Sequence, residues 1–328
     1  MDDAKNATGR SLDSQNATFG DQPSARPLFD PTGALSWTRE GPQYRGALKG
    51  QDLSGKRSGK IVQSRPKSLG LLQVLESRGS ASTSVIVREN ESPWDTFEPI
   101  FRCRLAGSVI ICVQRTHPFR TAAMREYPME DGSRILGLYR LLQHENILSA
   151  RECYMDESRF YIRVDDLPVS LEHLANLKIS AHQLSSVVSQ ILNGLSHLIA
   201  SGFEHTALTC SNILLGSDGT VKIGALECCE ERPPSRSDSP CIKSLANIMM
   251  RLMQEYEKDD GLMEVDDLAR WPLDSSAVDF LRVTSSARSL EPLKQHPFVI
   301  GKDHVRGGLV GLARLAPIAT KTFYSITV

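Results

Sequence analysis

The 328-residue chain lacks any long hydrophobic run. Its first twelve residues, MDDAKNATGRSL, contain neither the basic start nor the apolar stretch of a secretory signal. No segment reaches the roughly 18 uninterrupted apolar residues that a membrane-spanning helix requires. These absences predict an intracellular protein, cytoplasmic or nuclear, with no membrane span.

An excess of one charge is also missing, and so is the cysteine spacing of a metal site. The chain carries 38 Lys and Arg against 39 Asp and Glu, a formal net charge of -1, so it has no overall field that would attract nucleic acid. Its seven cysteines show no C-x-x-C spacing. We therefore expect neither nucleic acid as a partner nor a metal site, and we expect other proteins as the partners.

Residues 1–82 show no regular hydrophobic pattern. They are rich in Ser, Gly, Asp, Arg and Pro, and their apolar residues follow neither the 2.0-residue period of a strand nor the 3.6-residue period of a helix. The segment contains a basic cluster formed by Lys56, Arg57, Lys60, Arg65 and Lys67. We predict a disordered basic arm, with a solvated linker favoured over a binding segment.

From about Thr83 the pattern predicts a small sheet with one helix. The runs TSVIVRE, PIFRCRL and SVIICVQR are short and rich in β-branched residues, and Ala106-Gly107-Ser108 is a suitable hairpin connection. The segment DGSRILGLYRLLQH has apolar residues at helical spacing, and RFYIRV predicts a further strand. Residues 83–168 are therefore predicted to form a small antiparallel sheet with one helix.

After Ser170 the chain is predicted to be mainly helical. The segment SAHQLSSVVSQILNGLSHLIASG carries apolar residues at three- and four-residue steps and ends at Gly202, a typical helix stop. A second apolar stripe runs from Ile242 to Met253. We predict an α+β fold in which residues 169–299 form the larger helical part. The apolar tail, 300–328, is expected either to cover that part or to dock on another chain.

Four segments, in order, resemble parts of the eukaryotic protein kinase domain. HENIL at 144–148 resembles the H-P-N-I segment, and HTALTCSNILL at 205–215 resembles H-R-D-L-K-x-x-N-I-L-L. GTVKIGALE at 219–227 resembles the strand that leads into D-F-G, and LKQHPFV at 293–299 resembles the end of the last helix. The resemblance implies a bilobal fold, with an N-lobe at 83–168 and a C-lobe at 169–299.

The resemblance also implies which residues stand at the family's phosphotransfer positions. A kinase uses a strand Lys, a helix Glu, a catalytic-loop Asp and Lys, and a magnesium-binding Asp. The residues at the matching positions here are Gln114, Ile135, Ala207, Thr209 and Ala225. Since an Ala cannot accept a proton and a Gln amide carries no charge, the resemblance predicts no catalytic residue.

Nucleotide contacts are expected to be equally reduced. The family positions that would contact a nucleotide are Cys112, Asp165, Leu167, Asn212 and Leu214. Asn212 is the family's one remaining metal ligand, and a single neutral oxygen binds magnesium poorly. The chain has no glycine between Gly79 and Gly107, so it lacks the glycine-rich phosphate loop. We expect no cofactor. If residual nucleotide binding exists, the expected ligand is ATP with magnesium.

Three interpretations remain open. The first is a pseudokinase that binds other proteins. The second is an active or weakly active kinase that uses Arg115 as a phosphate anchor and Glu227 as a metal ligand. The third is a truncated domain with no role. In each of them, His205 is predicted to be a buried histidine that holds the loop backbone rather than a proton carrier.

Overall fold

The computed structural model describes residues 85–156, 159–254, 265–300 and 307–322. The predicted arm, 1–82, lies outside these described residues. Every described residue belongs to the unit Lys67–Val328.

A six-stranded sheet makes up the first half of the described chain. Its strands are β1 Ile86–Glu89, β2 Phe97–Arg104, β3 Ser108–Gln114, β4 Thr121–Pro128, β5 Ala150–Met155 and β6 Arg159–Val164, in the spatial order β1-β5-β6-β4-β3-β2. Four neighbouring pairs are antiparallel, which agrees with the predicted sheet. One detail was predicted wrongly: β1, within TSVIVRE, runs parallel to β5 at the sheet edge.

The two faces of this sheet bury different sets of side chains. The inner face packs into the main core, together with helix α2 (Gly132–Leu141), whose Ile135, Leu138 and Tyr139 are buried. The outer face carries a separate apolar cluster, formed by Phe97, Ile110, Cys112, Ala122, Met124, Tyr154 and Tyr161. The short helix α1 (Pro93–Thr96) places Trp94 against that outer cluster.

Helix α3 (Ala181–Ala200) is central to the second, mainly helical part. It begins at Ser180, whose hydroxyl accepts from the Gln183 amide while the Gln183 side chain accepts from the Ser180 amide. It ends just before Gly202, whose φ of 82° is one that glycine adopts without strain. The predicted helix and its stop are therefore confirmed.

The remaining elements pack around α3. The helices are α4 Ser239–Gln254, α5 Ser276–Ser286, α6 Glu291–Lys294, α7 Pro297–Ile300 and α8 Gly307–Thr322. The short strands are β7 Val169–Ser170, β8 Phe203–His205, β9 Ile213–Leu215, β10 Val221–Ile223 and β11 Cys229–Glu231. The predicted stripe from Ile242 to Met253 is the buried side of α4.

Helix α8 lies in the predicted tail and packs on the helical part. It contacts α3 and the turn Leu171–Leu174, and it buries Leu309, Leu312, Ala313 and Ala316. Of the two expectations for the tail, covering the helical part is therefore what the structure shows for residues 307–322.

The segment HENIL joins the sheet to the helical part. Asn146 is buried, and its side-chain amide donates to Gln190 Oε1 at 3.1 Å and to the Val221 carbonyl at 2.9 Å. The Ile223 amide donates to the Asn146 carbonyl, and the Leu148 amide donates to the Ile223 carbonyl, both at 2.9 Å. These bonds fix β10, and the chain that follows it, beneath the inner face of the sheet.

Candidate functional site

A buried arginine marks the inner face of β4, the strand that leads into α2. Arg125 is 2 % exposed, and its guanidinium donates to the Leu105 and Ala106 carbonyls, each at 2.6 Å. Its Nη1 lies 4.0 Å from Glu227 Oε1, and the Tyr127 hydroxyl donates to Glu227 Oε2 at 3.2 Å. The positive charge is therefore directed at the turn before β3 and at one carboxylate.

The turn between β2 and β3, Ala106–Gly107, lies directly over the loop that resembles a catalytic loop. Both residues have positive φ, 53° and 99°. The Ala106 amide donates to the Ser211 carbonyl at 3.1 Å. A Cβ added at Gly107 would lie 3.1 Å from both Arg125 Nη1 and Glu227 Oε1, so the turn fits this site only with glycine there.

Gly224 supports this turn from below. A Cβ at Gly224 would lie 2.6 Å from the Ala106 Cβ, closer than real side chains approach. The turn and the strand end are thus in van der Waals contact at a position where only glycine allows the approach. The cleft between the sheet and the helical part is closed at this point.

The polar residues of the catalytic-loop segment bind backbone. His205 Nε2 donates to the Gly224 carbonyl at 2.9 Å, and its Nδ1 accepts from the Ala207 amide at 3.3 Å. Burial lowers the pKa of His205, which keeps the ring neutral and suits this arrangement. Asn212 Nδ2 donates to the Ala207 carbonyl at 2.7 Å. His205 is therefore the backbone-holding histidine that was predicted.

Gln114 does not lie on the strand that precedes α2, so its placement there was wrong. It ends β3 on the outer face, where its amide donates to Thr116 Oγ1 at 3.3 Å. The strand before α2 is β4, and its inner-face basic residue is Arg125. A signal was present in the sequence, because TAAMREYP is a strand-like run with a basic residue directly before the helical segment.

The predicted nucleotide contacts do not come together as one set. Cys112 lies in the outer-face cluster, whereas Leu167 and Leu214 lie in the main core on the other side of the sheet. Asp165 accepts from Lys222 Nζ and Arg151 Nη2, both at 2.8 Å. Asn212 and Leu214 are close in the chain and lie beneath the turn, so the structure brings only part of the set near the closed cleft.

The residues at the positions where a kinase carries charged side chains are uncharged here, and most of them are buried or bonded through their backbone. Ile135 is fully buried in α2, and Ala225 is buried with a φ of 51°. Ala207 takes part through its backbone alone, as donor to His205 and acceptor from Asn212. Thr209 is exposed before a short turn. Within the described ranges, no group of three His, Cys, Asp or Glu side chains could hold a metal ion.

Comparison with known proteins agrees with this geometry. Residues 121–244 match the family model described as "protein kinase domain". The chain is 34% identical over 90 residues to mitogen-activated protein kinase kinase kinase 9 of Arabidopsis thaliana, a match covering 27% of this chain and 12% of that protein. It is 30% identical over 116 residues to stress-activated protein kinase jnk-1 of Caenorhabditis elegans, covering 33% and 24%. The matches thus span a quarter or less of these relatives' own length.

A solved structure supports the fold. The twitchin kinase region from C. elegans superposes with a TM-score of 0.53 at 14% identity, covering 72% of this chain and 53% of that chain. The protein therefore contains a eukaryotic protein kinase-like domain. Its α+β fold has a sheet-rich N-lobe and a helical C-lobe. None of the helices in the described part of the chain is long and apolar enough to cross a membrane.

Proposed function

We propose that this kinase-like domain does not transfer phosphate and acts as a module that binds other proteins. The observation that carries the proposal is the turn Ala106–Gly107, bonded to the Ser211 carbonyl and resting on Gly224. In a kinase the phosphates of the nucleotide lie between the glycine-rich loop and the catalytic loop. Here these two segments are in contact, so a triphosphate has no room between them.

The state of Arg125 supports the same conclusion. By its place on the strand before α2, Arg125 is the counterpart of the family's phosphate-binding Lys. Its two terminal nitrogens donate to the Ala106 and Leu105 carbonyls, and Nη1 also lies 4.0 Å from Glu227 Oε1. In a kinase the carboxylate that holds the strand Lys comes from the helix, but the predicted helix position holds Ile135. The Arg125–Glu227 pair is therefore arranged to stabilise the Ala106–Gly107 turn rather than to orient a nucleotide.

The residues of the catalytic-loop segment and of the segment after β10 are a second reason to expect no phosphate transfer. Ala207 stands at the predicted position of the general base, whose action contributes about 10² to 10⁴-fold to rate. Ala225 stands at the predicted position of the magnesium-binding Asp, and Asn212 has its amide bound to the Ala207 carbonyl. We accordingly propose no cofactor for this site.

The alternative, an active kinase with substitute residues, finds less support. Arg115 Nε donates to the Trp94 carbonyl at 3.1 Å and its Nη1 lies 3.5 Å from Glu98, so it is engaged near α1. Glu227 is engaged by Arg125 and Tyr127. Both residues would have to leave these partners to serve catalysis. A truncated, functionless domain is disfavoured by the continuous core that extends into α8.

Nucleotide binding by the full chain tests the catalytic half of the proposal. We expect no thermal shift with magnesium and ATP, whereas a ligand at a hundred times its Kd would add about 2.7 kcal/mol to the free energy of unfolding. The double variant Ala207→Asp with Ala225→Asp should stay equally silent, because the turn still fills the cleft. Magnesium-dependent autophosphorylation that Asn212→Ala abolishes would overturn the proposal.

The proposed binding of other proteins is tested by asking whether their recovery with the full chain depends on the folded domain. Proteins recovered with the full chain should be lost with Leu192→Asp, which places a charge in the fully buried face of α3. Partners that are recovered equally well with both chains would recognise unfolded chain or a segment outside this domain. That result would contradict a function for the folded domain in binding.

A further inference from the structure

A polar cleft on the outer face of the sheet is independent of the closed site between the lobes. Its volume is about 320 Å³, and its walls come from β1, the start of β2, the end of β3, and strands β4 to β6. The floor includes Ala122, a small residue in the centre of the sheet. Because Ala122 is short, the longer side chains on the neighbouring strands leave an open depression above it.

Three arginines line this cleft with a single carboxylate. Arg88, Arg120 and Arg163 face Glu152, so the lining carries a surplus of two positive charges. Two further carboxylates approach from outside the lining and are already engaged. Glu91 is paired with Arg88, and Asp166 accepts from the Thr121 hydroxyl at 2.5 Å.

The one lining carboxylate is fully occupied. Glu152 accepts from Arg163 Nε at 3.0 Å and from the Tyr154 hydroxyl at 2.8 Å, and Arg88 Nη2 lies 3.5 Å away. Burial opposes its charge, but the bonds from Arg163 and Tyr154 outweigh burial and lower the pKa of Glu152. Glu152 therefore stays ionised and orients two of the arginines instead of neutralising the cleft.

Donor groups remain available for an incoming anion. Among the described residues, the exposed Arg120 guanidinium has no hydrogen-bond or ion-pair partner. Arg88 donates through Nη1 to Glu91 Oε2 at 3.2 Å. Arg163 uses Nε for Glu152, and its guanidinium lies 5.8 Å from the Phe97 ring centre. Guanidinium groups with free planar donors are the protein groups best suited to bind phosphate.

The size and walls of the cleft indicate more than a bare ion. A volume of 320 Å³ falls at the lower end of the roughly 300–1,000 Å³ typical of small-ligand sites. Phe97 and Tyr154 add aromatic surface beside the arginines, and Gln114 adds an amide at the rim. We propose that this outer-face cleft binds a phosphate monoester, with the phosphate held by Arg88, Arg120 and Arg163 and the ester group against the aromatic walls.

Calorimetric titration of the full chain with phenyl phosphate, at constant ionic strength, tests this proposal. We expect saturable binding that Arg120→Gln weakens about tenfold, since one charge-assisted contact is lost. Gln114→Lys should tighten binding by a similar factor, because it adds a cation at the rim. The Arg120 side chain has no partner among the described residues to lose, so thermal unfolding of the Arg120→Gln protein should match that of the wild type.

Arg104→Gln is the matched control. Arg104 is an exposed arginine at the far end of β2, seven residues and about 20 Å along the strand from Phe97. Binding that Arg104→Gln and Arg120→Gln weaken equally would reflect general charge attraction and would overturn the proposal. Absence of saturable binding to the wild type would overturn it as well.

Three further ligands identify the chemistry and its source. Phenol should not bind, and inorganic phosphate should bind more weakly than phenyl phosphate. Equal affinity for inorganic phosphate would overturn the role of the ester group. A phosphotyrosyl peptide that binds more tightly than phenyl phosphate would identify a modified protein as the source of the ester, whereas weaker binding would identify a small molecule.

Discussion

The two faces of the N-lobe sheet use arginine in opposite ways. On the inner face, Arg125 is 2 % exposed and has each terminal nitrogen bonded to a backbone carbonyl. On the outer face, Arg120 is exposed and has no partner among the described residues, although it precedes the same strand. The same chemical group is thus bonded to backbone on one face and exposed to solvent on the other.

This difference shows that two arginines near one strand can have opposite structural consequences. A buried guanidinium is tolerated only when carbonyls and carboxylates satisfy it, and such partners then hold the surrounding backbone in place. Arg125 in this way links the Ala106–Gly107 turn to Glu227. On the outer face, Arg163 and Arg88 are held by Glu152, whereas Arg120 is exposed and has no partner among the described residues, so its position has no comparable structural reason.

Replacing each arginine by methionine should give the largest contrast. Arg125→Met leaves the Leu105 and Ala106 carbonyls without their side-chain donor and removes the positive charge beside Glu227, and we expect it to lower the free energy of unfolding by about 3 kcal/mol. Arg120→Met should change it by less than about 0.5 kcal/mol, as for other exposed positions. Denaturant unfolding of both variants measures the difference.

Equal effects of these two substitutions would contradict the comparison. A small effect of Arg125→Met would mean that the turn is held chiefly by the bond from Ala106 to Ser211. The variant Arg125→Lys separates charge from geometry, because a single ammonium cannot replace both planar donors at the two carbonyls. We expect it to fall between Arg125→Met and the wild type.

The contact between the Ala106–Gly107 turn and Gly224 can be tested by substituting alanine for Gly224. Gly224→Ala would place a methyl group 2.6 Å from the Ala106 Cβ, so the backbone must shift, at a cost of about 1–3 kcal/mol. Gly137→Ala on α2 is the control, because nothing lies within 4 Å of its added Cβ. It should stabilise the protein by about 0.5–1 kcal/mol.

Hydrogen exchange of single backbone amides adds a local measurement to the comparison of Gly224→Ala with Gly137→Ala. In Gly224→Ala the Ala106 amide should exchange faster, since its bond to Ser211 is strained first. Unchanged protection of that amide, with the global stability lowered, would mean that the turn does not rest on Gly224 as described.

The sequence predicted the helical part better than the cleft. Stripes such as that from Ile242 to Met253 identify their buried side directly, because helical spacing defines one face. In strands the alternation shows which residues share a face, but not which face points inward. The resemblance grouped Cys112 with Leu214 as nucleotide contacts, and the strand pattern could not show that the sheet separates them.

The misplacement of Gln114 has a related cause. Strand runs can be recognised locally, whereas the strand that leads into a helix is fixed only by pairing across the whole sheet. The run that forms β4 was not recognised as a strand, so β3 was given the role that β4 has in the structure. Helix α8 was left open because its glycines and Pro317 are poor helix formers, and packing on α3 decides its structure.

A further prediction is a pH dependence of the free energy of unfolding that arises from His205 on the inner side of the sheet. Burial lowers the pKa of His205, so between about pH 6.5 and the lowered value the unfolded chain takes up a proton that the folded chain does not. Stability should therefore fall with falling pH, by up to ~1.4 kcal/mol per pH unit for one proton. Burial also lowers the pKa of His144 and His197, which add to the slope.

Unfolding free energies at pH 7.5 and 5.5 measure this slope. His205→Gln should flatten it, because the proton uptake of one unfolded-state group is removed, while the exposed control His182→Gln should leave it unchanged. Arg120→Met should also keep the wild-type slope, since the outer cleft takes no part in burying His205. A slope that follows Arg120 rather than His205 would mean that the two faces are coupled, and it would contradict the contrast drawn between them.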